Sequence, residues 1–65
     1  MNIAEVRERL TRIEAMSGDS EIAHMEQDKF LLDVLQAVAD GAYAPEEIAV
    51  VALEVQNIKF TRWYA

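Results

Sequence analysis

The chain reads SEIAHMEQDKFLLDVLQAVA from Ser20 to Ala39. This stretch predicts one long helix, because Asp19 or Ser20 can cap its start and Asp40-Gly41 can end it. Glu21 lies in the first turn, where a carboxylate interacts favourably with the helix dipole. At about twenty residues the helix would be roughly 30 Å long. We expect it to be the longest element and the one on which the others pack.

The inner face of this helix follows from placing successive residues about 100° apart. Four large apolar residues share a face on this basis: Leu31, Val34, Leu35 and Val38. Phe30 falls at the edge of that face. Three polar residues, His24, Gln27 and Asp28, project along the same stripe nearer the N-terminus, so the apolar face is expected to continue as a polar one.

Two shorter helices are predicted on either side of the long one. The first covers about residues 2–16, with Asn2 and Glu5 placed as a capping box. Its apolar face consists of Ile3, Val6, Leu10 and Ile13. The other covers about residues 45–56, because Pro45 suits the first helical position. Its inner face consists of Ile48, Val51, Ala52 and Val55.

Short loops between three helices favour antiparallel neighbours. The sequence therefore predicts a single all-α domain over residues 1–65, a compact three-helix bundle with a short aromatic C-terminal helix or tail at 58–64. A short helix is the preferred form of that segment, although Ile58 and Phe60 would also share one face of an extended strand.

Composition restricts the function classes. The 65 residues carry twelve acids and six bases, a formal net charge of −6, and no Cys. Residues 18–57 hold nine of the acids and only one base, Lys29. Such a surface repels phosphate, so direct nucleic-acid binding is not expected. No uncharged run approaches the roughly 20 residues of a membrane helix, and a cytoplasmic location is predicted.

A polar node opens the long helix at Glu21, His24 and Asp28. Glu21 and His24 match the Glu-x-x-His spacing of di-iron bundles, but only one such motif is present. A His24–Asp28 pair could serve acid–base chemistry, yet no nucleophile motif or phosphate-binding loop accompanies it. The preferred interpretation is structural, with His24 substantially buried and bonded within the chain. No catalytic residue, metal or cofactor is predicted, and the protein is not expected to be an enzyme.

Candidate partner-binding residues lie in two places. Trp, Tyr and Arg are common in binding hot spots, and the tail gathers Phe60, Arg62, Trp63 and Tyr64. An alternative role for Phe60 and Trp63 is a lid over a small core. Val50 and Leu53 form the second place, since they fall on the side of their helix opposite its inner face.

Three segments together resemble a group of uncharacterised small acidic helical proteins of bacteria and their phages. They are Asp19-x-Glu21-x-Ala23-His24-x-x-Gln27-Asp28, Val34-Leu35-x-Ala37-Val38-Ala39-x-Gly41 and Phe60-x-Arg62-Trp63-Tyr64-Ala65. Ala44 departs from the group, in which a capping Asp is usual before the proline. The resemblance implies no activity, only that the polar node and the aromatic terminus belong to one design.

The predicted function is therefore a protein-binding or regulatory module, in the phage case an inhibitor or adaptor of a host or phage protein. Two alternatives remain open. One is a metal-binding helical protein that uses Glu21, His24 and Asp28. The other is a homo-oligomeric structural protein, such as a homodimer, joined through Val50 and Leu53.

Overall fold

The computed structural model describes residues 1–61, and the structural statements below refer to that part of the chain. Three α-helices follow in order, α1 (Ile3–Ala15), α2 (Ser20–Ala39) and α3 (Pro45–Ala52), and α3 continues into a 3₁₀-helix, Leu53–Asn57. Each α-helix packs against the other two. The predicted all-α three-helix bundle is confirmed.

Local capping signals produce the starts of α1 and α2. The Asn2 side-chain oxygen accepts a hydrogen bond from the Glu5 backbone N–H at 2.9 Å. Asp19 Oδ1 accepts one from the Ile22 backbone N–H at 3.2 Å. Each bond satisfies an amide that has no partner inside its own helix.

The core lies where the predicted faces of α1 and α3 meet the middle of α2. Its fully buried large side chains are Val6, Ile13, Phe30 and Ile48. Further buried members are Leu10, Val34, Val51, Ala52 and Val55. The inner faces predicted for α1 and α3 are therefore correct, apart from Ile3, which is only partly buried.

The predicted inner face of α2 is wrong in part. The buried residues of this helix are Ala23, Gln27, Phe30 and Val34, at spacings of four, three and four. Leu35 and Val38 are exposed, Asp28 is exposed, and Leu31 is only partly buried. Large apolar residues surround most of α2, so their periodicity alone did not identify the buried side of the helix. On that side, the small Ala23 and the neutral Gln27 continue the core.

Arg9 connects α1 to this face of α2. Its Nη1 lies 3.0 Å from Asp33 Oδ2, and its guanidinium carbon lies 5.5 Å from the centroid of the Phe30 ring. The Arg9 side chain is only 18% exposed. A cation held over an aromatic face and paired with a carboxylate is attracted to both. Arg9 therefore favours the rotation of α2 that buries Phe30.

The loop before α3 contains a strained residue. Ala44 occupies the N-cap position with φ 55° and ψ 56° and makes no side-chain cap hydrogen bond. A left-handed conformation costs a residue with a Cβ about 1–2 kcal/mol. Pro45 and the acids Glu46 and Glu47 follow and favour the first turn of α3.

The C-terminal part of the fold differs from the prediction. The predicted helix at about 45–56 is α-helical only to Ala52 and then tightens into the 3₁₀-helix. Ile58 is extended, with φ −75° and ψ 124°, and residues 59–61 are not helical. The short helix expected at 58–64 is therefore wrong for 58–61, where the chain forms a tail. Residues 62–64 lie outside the described residues.

A double-mutant cycle should detect the link between Arg9 and Asp33. We expect Arg9→Ala and Asp33→Ala to show a coupling free energy of about 0.5–1 kcal/mol in urea unfolding, because Arg9 is mostly buried. The control pair is Arg7 and Glu54, which are 3.8 Å apart and about half exposed, and its coupling should be close to zero. Equal coupling in the two pairs would contradict this role of Arg9.

Relief of strain at Ala44 should stabilise the protein. Ala44→Gly removes the left-handed penalty, partly offset by the larger entropy of glycine in the unfolded chain, so we expect a gain of about 0.5–1 kcal/mol. Ala49→Gly, at an exposed position inside α3, should instead cost about 1 kcal/mol. Thermal unfolding of both variants measures the two changes, and a loss of stability in Ala44→Gly would contradict the strain.

Candidate functional site

The polar node at the start of α2 is only partly the unit that the sequence predicts. His24 Nε2 lies 3.6 Å from Asp28 Oδ1, one helical turn away. The His24 side chain is 18% exposed, which agrees with the predicted burial, whereas 66% of the Asp28 side chain is exposed. Glu21 is also exposed. The contact therefore joins a mostly buried imidazole to a carboxylate at the surface.

The tail returns to the same end of α2. The Thr61 backbone N–H donates to Ser20 Oγ at 3.3 Å, across 41 residues of sequence. Phe60 is partly buried and packs against the core, as Ile58 does. Phe60 therefore covers the core, which agrees with the lid alternative for this residue. Arg62, Trp63 and Tyr64 lie outside the described residues.

The three node residues do not come together as metal ligands. Among residues 1–61, no group of three or more His, Asp or Glu side chains is arranged to hold a metal ion. Glu21, His24 and Asp28 therefore provide no ligand set in the structure, and the metal alternative gains no support from the geometry.

Val50 and Leu53 face outward, as the sequence predicts. Their exposed fractions are 67% and 57%. Val50 lines a shallow open groove with Ile3, Arg7, Glu46 and Glu47. We call Val50 and Leu53 the α3 patch. It is small and has charged neighbours, so it offers a partner little continuous apolar surface.

A larger apolar surface lies on α2, and the sequence interpretation assigned part of it to the core. Its four residues are Met25, Leu32, Leu35 and Val38, which we call the outer strip. The first three are 65%, 67% and 66% exposed, and Val38 is 36% exposed. At 1.5 Å per residue the outer strip is about 20 Å long. This surface is the main candidate site.

Helix geometry explains the gradient of exposure along the outer strip. At about 100° per residue, Met25 and Leu32 lie roughly 170° around α2 from the centre of its buried face. Leu35 lies about 110° away and Val38 about 50° away on the same scale. The least exposed residue is thus the one nearest the bundle, while Met25 and Leu32 face away from the core.

The electrostatic surroundings of the outer strip are acidic. Asp28 occupies the gap between Met25 and Leu32 on the same side of the helix, and Glu21 lies one turn before Met25. Lys29 is the single basic residue of α2. Exposed large apolar side chains in a row are typical of a surface that binds another apolar surface. The acids give this surface a negative potential, which attracts cations.

A signal for the outer strip was present in the sequence. Met25, Asp28, Leu32, Leu35 and Ala39 follow one another at spacings of three and four. That spacing is typical of a helix that packs against another helix. It became informative only once Phe30 and Val34 had been assigned to the core.

Comparison of the chain with protein-family models, with curated proteins and with solved structures gives no significant match. The resemblance to small bacterial and phage proteins therefore stays a prediction. None of the helices in residues 1–61 combines the length and apolar composition that a membrane crossing requires.

Neighbouring substitutions should separate the two faces of α2. Leu35→Asp should lower the free energy of unfolding by less than about 1 kcal/mol, because Leu35 is exposed. Val34→Asp, one residue away and 6% exposed, should cost about 3 kcal/mol or more, because the new carboxylate would be buried without a partner. Urea unfolding of both variants measures this difference. Unfolding of Leu35→Asp would contradict the orientation of the helix.

Proposed function

We propose that this protein is a non-catalytic interaction module that binds a partner protein through the outer strip of α2. The observation that carries the proposal is the row of Met25, Leu32 and Leu35, each about two-thirds exposed on a 20-residue helix. A domain of this size has little apolar surface to spare, because roughly 40% of the surface of its unfolded chain remains exposed after folding. The exposure of three large apolar residues to solvent is therefore consistent with a role in binding.

The rest of the chain supports a binding role over a catalytic one. His24 contacts the Asp28 carboxylate, and no Ser or Thr nucleophile motif accompanies this pair in the sequence. A cytoplasmic adaptor or inhibitor is part of the proposal. Either role acts by occupying a surface and needs no reaction.

Self-association is a second candidate, since the α3 patch and the outer strip both expose apolar side chains. Each copy carries a net charge of −6, so association of two copies works against electrostatic repulsion. The charge therefore makes a different protein the better candidate partner.

Affinity capture with matched variants tests the proposal. Wild type, Leu35→Asp and Leu53→Asp are immobilised in equal amounts after circular dichroism has shown that all three are folded. We expect a protein that wild type and Leu53→Asp retain and that Leu35→Asp loses, because a new charge in the outer strip disfavours an apolar contact.

Both variants add one negative charge to an exposed Leu, so a general effect of charge would affect them equally. Retention of the same proteins by all three forms would contradict binding through α2. If only Leu53→Asp failed to retain the protein, the binding site would lie at the α3 patch instead. A wild-type chain that sediments as a dimer, with Leu35→Asp a monomer, would favour self-association.

A further inference from the structure

We infer that the partner segment is a basic amphipathic helix, which packs its apolar side on the outer strip and places its Lys or Arg residues near the acids of α2. This inference rests on the proposed function and names the chemistry of the partner. It follows from the shape of the outer strip, from the charges beside it and from the net charge of the whole chain.

The shape of the outer strip suits a helix. Met25, Leu32 and Leu35 lie along a single convex helix rather than in a closed cavity. Residues spaced by three and four form a straight seam that the apolar side of a second helix can cover. A strip about 20 Å long corresponds to roughly thirteen residues of a partner helix at 1.5 Å per residue.

The charges beside the outer strip select a basic partner. Asp28 lies within the strip and 66% of its side chain is exposed, and Glu21 is exposed one turn before Met25. The other two acids of α2, Glu26 and Asp33, lie on the opposite side of the helix at about 100° per residue, and Asp33 is paired with Arg9 at 3.0 Å. Glu21 and Asp28 are therefore the carboxylates placed to meet cationic side chains on a helix that covers the outer strip.

The distribution of charge along the chain also favours a basic partner. Residues 18–57 carry nine acids and one base, so the field around α2 attracts cations and repels anions. A second copy of this chain would bring the same acids and the same strip to the interface. A basic helix satisfies both the apolar and the electrostatic character of the surface, whereas a second copy satisfies only the apolar one.

Synthetic peptides of fourteen residues test the inference directly. The first has Leu at heptad positions a and d and Lys at the flanking positions, and the second replaces every Lys by Glu. The third keeps the Lys residues and replaces every Leu by Ser. Titration calorimetry with the full chain should show the Leu/Lys peptide binding at least tenfold more tightly than either of the others.

Two sets of variants locate the binding site of the peptide. Leu35→Asp and Leu32→Asp should each weaken the Leu/Lys peptide at least tenfold, although each adds a charge that attracts Lys, while Leu53→Asp should not weaken it. The double variant Glu21→Gln/Asp28→Asn should weaken it severalfold. Its control, Glu46→Gln/Glu47→Gln, removes the same charge from α3 and should leave the affinity within twofold.

Several results would overturn the inference. Equal affinity for the Leu/Lys and Leu/Glu peptides would show that charge does not select the partner. Unchanged affinity in both strip variants would show that a basic helix binds elsewhere. A wild-type dimer that Leu35→Asp converts to a monomer would show that a second copy covers the outer strip. The chain could also bind the three peptides equally and still capture a partner protein in a way that depends on Leu35. That result would exclude a basic helix as the partner segment, but the proposed function would stand.

Discussion

The burial of Phe30 beneath Arg9 is the constraint on which the rest of the structure depends. Phe30 is completely buried, and Arg9 lies over its ring while pairing with Asp33 at 3.0 Å. A helix is a rigid cylinder, so fixing the direction of one side chain fixes the others. Once Phe30 and Val34 point inward, Leu32 must point away from the bundle and Leu35 well to one side. The outer strip is therefore a consequence of how the core is packed.

The protein thus divides its apolar residues between the core and an exposed surface. Apolar residues make up 52% of the sequence, and several of the large ones remain exposed. Within residues 1–61 the core draws on all three helices and contains a single fully buried aromatic ring, Phe30. Much of the remainder lies on α2, where Met25, Leu32 and Leu35 are exposed along the outer strip. This concentration on one helix face is what separates the outer strip from apolar residues scattered over a surface.

Local signals in the sequence were sufficient for much of the fold. Asn2 with Glu5, Asp19 and Pro45 gave the starts of the helices, because capping depends on neighbours a few residues away. The faces of α1 and α3 were predictable since each has one clear apolar stripe. The face of α2 was not, because its apolar residues surround most of the helix and packing against α1 and α3 selects between them. The end of α3 and the extended tail depend equally on distant contacts, such as the bond from Thr61 to Ser20.

The candidate site shares this difficulty. Val50 and Leu53 were recognisable as outward-facing because the opposite side of α3 was already occupied by core residues. Leu35 and Val38 were placed in the core, so the larger surface was missed until the rotation of α2 was known. The predicted binding role survives as a proposal, and its location has moved from the aromatic tail and the α3 patch to α2.

Hydroxyl-radical footprinting of the isolated chain at low concentration tests the central claim, the rotation of α2, most directly. Oxidation rates are measured residue by residue with mass spectrometry and corrected for intrinsic reactivity. The structure predicts rapid modification of Met25, Leu32 and Leu35 and strong protection of Phe30. Protection of Leu35 together with modification of Phe30 would show that α2 presents the opposite face, and the outer strip would then belong to the core.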